Sequence, residues 1–189
     1  MRVAPVALMT PRDQVRKLAI ETSALTHGHP TGQLAAAAWA EMLADIASGM
    51  QLEQAAEATA AQYAGLDHGD ETAFAIRRAL KAPRDGTTET VHSLGGGWTA
   101  DEALSIALYA CLAGQSLDHA LEISVVHNGD SDSTGAIVGN MLGLLKADEI
   151  LNHRWGNAIE GVDLIYRLSY DICVGLGDQR NIVETLFEK

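Results

Sequence analysis

Cysteine is nearly absent from this chain of 189 residues, with Cys111 and Cys173 its only thiols. Two cysteines so far apart cannot build a disulfide framework, and they read as buried thiols of a reducing cytosol. Basic side chains are also scarce, 13 against 25 acidic ones, and the formal net charge of -12 repels phosphate backbones and anionic lipid head groups. Nucleic acid and membrane surfaces are therefore not expected partners. No basic segment followed by an apolar core and a small-residue cleavage site opens the sequence, and nowhere do about 18 apolar residues run uninterrupted. Secretion and membrane spanning are disfavoured, and a cytoplasmic location is expected. The sequence has no phosphate-binding Gly-x-x-x-x-Gly-Lys-Ser/Thr loop, no nucleophile elbow and no dinucleotide fingerprint. Internal repeats, linkers and low-complexity segments are missing too, so residues 1–189 are expected to form a single domain.

Apolar residues make up 47% and charged residues 20%, enough for a packed core. Alanine and leucine recur at helical spacing and β-branched runs are few, which predicts an all-α fold. A helix is expected over Arg12 to Thr26, opened by Pro11, where a missing N–H costs nothing. Another follows Pro30 and runs to about Ser48, with Ala35, Trp39, Met42 and Ile46 on one stripe and Gly49 as its stop. Further helices are predicted over 52–63, 71–80, 100–113, 117–126, 158–173 and 179–187. In the segment over 100–113, the residues Ala103, Leu104, Ala107, Leu108, Cys111 and Leu112 make a broad buried face. Between Lys81 and Trp98, Pro83, Gly86 and Gly95-Gly96-Gly97 break the periodicity and predict a long loop.

The run Gly129-Asp130-Ser131-Asp132-Ser133-Thr134-Gly135 places two carboxylates and three hydroxyls within five residues, a compact set of hard oxygen donors. Such donors suit magnesium, manganese or calcium. The competing reading is a helix N-cap, in which Asp132 or Ser133 satisfies free N–H groups. An EF-hand is excluded: Asp130, Asp132, Thr134 and Gly135 match its opening, but its twelfth position, which needs a bidentate Glu, is Met141. Gly135, Gly139 and Gly143 then recur every fourth residue, each costing about 1 kcal/mol of helix propensity. This predicts a central helix whose bare face admits another backbone. A second constellation, Thr26-His27-Gly28-His29-Pro30-Thr31-Gly32, carries two histidines, suited either to a ligand or to structural hydrogen bonds. In Gly95-Gly96-Gly97-Trp98 the backbone can approach a ligand and Trp98 can stack on a base, unless the segment is only a turn.

Taken together and in this order, Thr26–Gly32 and Gly129–Gly135 resemble the Thr-His-x-His-Pro and C-terminal metal motifs of the ADP-ribosylglycohydrolase family, especially its ADP-ribosylarginine hydrolase branch. Residues 1–8 look like the end of that family's phosphate loop entering a helix. The resemblance implies a compact orthogonal helical bundle with a magnesium centre, two ions in the family, at the floor of a cleft for ADP-ribose. It makes Asp130, Asp132 and Ser133 metal ligands, with Asp130 and Asp132 carrying the catalysis. It places His27 or His29 near the diphosphate, and Gly97 and Trp98 near the ribose or adenine. The implied reaction is hydrolysis of the bond between ADP-ribose and a modified side chain, arginine favoured, on a protein or a small molecule.

The family's earlier Thr/Ser-Asp-Asp motif and glycine-rich loop have no counterpart in these residues, so the chain reads as the C-terminal part of such a fold, with Met1 an internal methionine. One or weak magnesium binding is therefore expected, together with self-association or an N-terminal partner chain. Two alternatives stand beside the hydrolase: an impaired remnant that binds ADP-ribose or a partner, and a structural helical domain with one cation site.

Overall fold

The computed structural model describes residues 1–156 and 158–175 of the chain. It divides into two compact units, Met1–Ala147 and Asp148–Lys189. The first carries nine α-helices: α1 (Ala4–Met9), α2 (Val15–Ala24), α3 (Pro30–Ala47), α4 (Leu52–Tyr63), α5 (Asp70–Lys81), α6 (Thr88–Leu94), α7 (Ala100–Ala113), α8 (Leu117–Val125) and α9 (Ser131–Leu145). A short 3-10 turn, Arg12–Gln14, leads into α2. No strand occurs among the described residues, as the alanine and leucine spacing predicts.

Two helices form the centre of this unit. In α3, Leu34, Ala37, Ala38, Trp39, Met42 and Leu43 are buried, and the helix packs against α1, α2, α4 and α7. Alanines on several of its faces let these neighbours close in. Pro30 occupies its first turn, and Gly49 follows its end at a φ of 97°, a left-handed geometry that glycine adopts without strain. The second central helix, α7, buries Leu104, Ile106, Leu108 and Tyr109 and packs against α3, α5, α8 and α9. Its expected buried face is real, except that Cys111 and Leu112 are only half-buried. Cys111 is a free thiol; the side chain of Cys173 lies outside the described residues.

Two expectations are corrected. The stretch after Lys81 is not one long loop, because α6 interrupts it. Thr87 caps that helix by accepting from the Thr90 N–H at 3.2 Å, and Asp85 accepts from both threonine hydroxyls. A seven-residue helix built on caps has too few apolar positions to show a period. The glycine-striped helix α9 is not central either. One face, with Thr134, Val138, Met141 and Leu142, is buried against α7, α8 and α3, and most of the rest is half-buried. A side chain at Gly135 would meet Val125 at 2.8 Å, but Gly139 and Gly143 have nothing within 4 Å among the described residues.

The second unit holds α11 (Val162–Gly175) and all but the first residue of α10 (Ala147–Leu151). The helix expected over 158–173 thus starts at Val162, and the one expected over 179–187 lies outside the described residues. Among the described residues, no helix is long and apolar enough to cross a membrane.

Candidate functional site

The acidic run sits where α9 begins. The N-cap position falls on Asp130 and not on Asp132 or Ser133, which lie inside the first turn of the helix. Asp130 faces the positive end of the helix dipole, which favours the anion. The neighbouring Ser133 hydroxyl, above all, holds Asp130 below the ordinary carboxylate range. Behind it, His127 fixes the loop. Its Nδ1 accepts from the Gly129 N–H at 3.1 Å, which leaves Nε2 of the neutral ring to donate to the Ser124 carbonyl or the Thr134 hydroxyl, each 3.1 Å away. The Thr134 hydroxyl is fully buried and donates to the Ser124 carbonyl at 2.6 Å.

The glycine-rich segment docks on this loop. The Asp130 N–H donates to the Gly96 carbonyl at 2.8 Å. The approach is so close that a Cβ on Gly129 would lie 1.8 Å from that same oxygen. Gly97, at a φ of 76°, rests against Asp130 and the methyl of Thr134. From the first turn of α7, Glu102 accepts the N–H groups of Gly96 and Trp98 at 3.2 and 3.1 Å through one oxygen, Oε2. Trp98 is left 72% exposed.

The histidine motif forms the entry to α3. His29 is its N-cap, with Nδ1 accepting from the Thr31 N–H at 3.3 Å. His27 pairs through Nδ1 with the Thr26 hydroxyl at 2.9 Å, and its ring lies over Gly32, where a Cβ would come within 3.2 Å. Both histidines therefore make structural hydrogen bonds while remaining exposed. The Thr31 hydroxyl donates to Glu71 on α5.

These segments enclose a cleft of about 690 Å³ within the first unit. His27, His29, Gly97, Trp98, Asp130 and Ser133 all line it, although they come from three separated stretches of sequence. Asp132 does not line it and is exposed on the first turn of α9. Sequence reasoning passed over Arg2, Glu71 and Asp101, which also line the cleft, and Glu102 and His127, which brace it. An acidic residue in the first helical turn after a glycine-rich segment was the available sign for Glu102. One arginine faces three carboxylates, Glu71, Asp101 and Asp130, so the side chains make the cleft net negative.

For a metal, the motif offers two carboxylates and a hydroxyl. Among the described residues, no group of three or more His, Cys, Asp or Glu side chains could hold an ion. That donor set does not fit a binuclear magnesium centre, which needs more anionic ligands to offset two cations.

Among the described residues the chain is all-α, and its first unit holds a cleft at the oxygen-rich start of α9. The family model described as ADP-ribosylglycohydrolase matches residues 1–181, and the chain belongs to that family. At family level this carries glycosyl hydrolase activity on ADP-ribosylated substrates. No curated protein and no solved structure matches the chain.

Proposed function

We propose that the cleft receives the ADP-ribosyl group of a modified side chain, arginine favoured, and that its residues promote hydrolysis at the anomeric carbon. The observation that carries this reading is the convergence of Trp98, His27, His29 and Asp130 on one cleft from distant parts of the chain. Trp98, exposed at the wall, offers a π-face to the adenine. The ring nitrogen of His29 not used in capping offers a donor to the diphosphate, and Arg2 adds a guanidinium on the same cleft.

A diphosphate entering a cleft with three carboxylates is repelled unless a cation accompanies it. Asp130, Asp132 and Ser133 would hold one hydrated magnesium ion, which supplies charge neutralisation and polarises a bound water. Self-association or a partner chain would add further ligands. The short donor set favours a second reading, an ADP-ribose-binding protein without turnover.

Release of ADP-ribose from ADP-ribosylarginine in magnesium, with Asp130→Ala and Asp132→Ala as controls, tests the first reading. Release abolished by both substitutions supports it. Binding of ADP-ribose without release moves the conclusion to the second reading, and no binding by the folded protein overturns both.

A further inference from the structure

We infer that Glu102 is a positioning residue that holds the Trp98 wall and the Asp130 donor in register through the backbone of a single loop. The inference deepens the reading of the cleft as an ADP-ribose site and rests on it for its functional consequence. Glu102 does not line the cleft. Its carboxylate instead takes two N–H groups of the glycine-rich segment, those of Gly96 and Trp98 on either side of Gly97, at 3.2 and 3.1 Å. Charge-assisted hydrogen bonds of this kind are the strong ones. The peptide they fix is the one whose carbonyl, Gly96 O, accepts from the Asp130 N–H at 2.8 Å.

Sterics make the loop a rigid link. The hydrogens of Gly129 face the Gly96 carbonyl with no room for a methyl group, and a Cβ on Gly95 would strike the Glu102 side chain at 2.5 Å. Movement of the Gly96 peptide therefore shifts Trp98 on one side and Asp130 on the other. A segment with glycine at three consecutive positions has little backbone preference of its own. Its conformation must come from its partners, and Glu102 is the side chain that supplies two hydrogen bonds to it.

Amide hydrogen exchange, resolved by residue, tests this in the magnesium-loaded and the magnesium-free protein. Glu102→Ala is expected to speed exchange at Gly96, Trp98 and Asp130 by about tenfold or more, while the amides of α3 and α4 stay within about threefold. Glu102→Gln, whose amide oxygen still accepts, is expected to restore most of the protection. Titration with ADP-ribose in magnesium should show affinity falling about tenfold for the alanine variant and recovering in the glutamine variant.

Unchanged exchange at Asp130 in Glu102→Ala overturns the inference, because the loop would not then be the link. A uniform rise across the unit overturns it as well, since Glu102 would be a stabilising residue only. If the wild-type protein binds no ADP-ribose, the cleft assignment fails, and the exchange pattern still decides whether Glu102 couples Trp98 to Asp130.

Discussion

The Tyr63 hydroxyl donates to Glu41 Oε2 at 2.6 Å, joining α4 to α3 inside the first unit. Glu41 is 2% exposed, and its two oxygens also accept from Arg12 at 2.8 Å and from Arg16 at 2.8 and 3.1 Å. Arg12 continues to Asp45, and Arg16 lies over the Tyr63 ring at 5.1 Å. This network ties the turn before α2, α2 itself, α3 and α4 together around one buried carboxylate. Truncation of that carboxylate leaves two guanidinium groups and a buried hydroxyl without their shared acceptor. Glu41→Ala is expected to cost about 3 kcal/mol, since removing one partner of a buried ion pair is far worse than replacing the whole pair. Urea unfolding of the variant beside the wild type measures it, and a loss below about 1 kcal/mol would show that the arginines are satisfied by solvent.

The same carboxylate makes stability depend on pH. Burial pushes Glu41 upward, but the hydrogen bonds from Arg16, Tyr63 and Arg12 outweigh it and hold the group below its ordinary value. A carboxyl depressed in the folded state contributes stability that is fully present above its unfolded pKa of about 4.3 and is lost as pH falls through the folded value. The urea midpoint should therefore be flat near neutrality and fall on the acid side of about pH 4.3. In Glu41→Gln that part of the acid slope should disappear. Tyr63, raised by burial first and by Glu41 next, acts on the other side: its contribution is present below about pH 10 and is lost above it.

Helix identity was legible where composition and punctuation agreed. Pro30 and Gly49 bracket α3, and the α4 and α7 boundaries coincide with the apolar pattern. The short helix α6 escaped because its stability lies in the Asp85, Thr87 and Thr90 hydrogen bonds, not in a periodic apolar face. The cleft residues His27, His29, Trp98 and Asp130 stood out as motifs. Glu102 did not, because a carboxylate in a first helical turn reads as ordinary dipole compensation until the loop bonded to it is seen. The glycines misled for a related reason. Spacing shows where side chains are missing, and only packing shows whether anything fills the gap.

That difference can be measured. Gly139→Ala places a methyl where none of the described residues lies within 4 Å, in the interior of a helix, and is expected to stabilise by about 0.5–1 kcal/mol through helix propensity alone. Gly129→Ala drives a methyl into the Gly96 carbonyl and is expected to destabilise by about 2 kcal/mol while displacing the loop that carries Trp98. Thermal unfolding of the two variants should move in opposite directions. Equal shifts of the same sign would mean that the backbone around Gly129 yields without cost.

A magnesium titration would separate the fold from the proposed site. The buried side chains of α3 and α7 make the core, and none of Asp130, Asp132 and Ser133 is among them. Chelation is therefore expected to leave helicity and the unfolding transition unchanged, unlike a structural metal site, where removal unfolds the domain. Calorimetric titration should return one weak site, because two carboxylates and a hydroxyl leave most of an octahedral shell to water. Asp130→Asn and Asp132→Asn should each weaken that site about tenfold, as the loss of one of two adjacent anions requires. Asp130→Asn alone should also disturb the cleft, since Asp130 lines it and Asp132 does not. Two tight sites in the wild-type titration would show that donors beyond this motif complete the shell, and the single-ion reading of the cleft would fall.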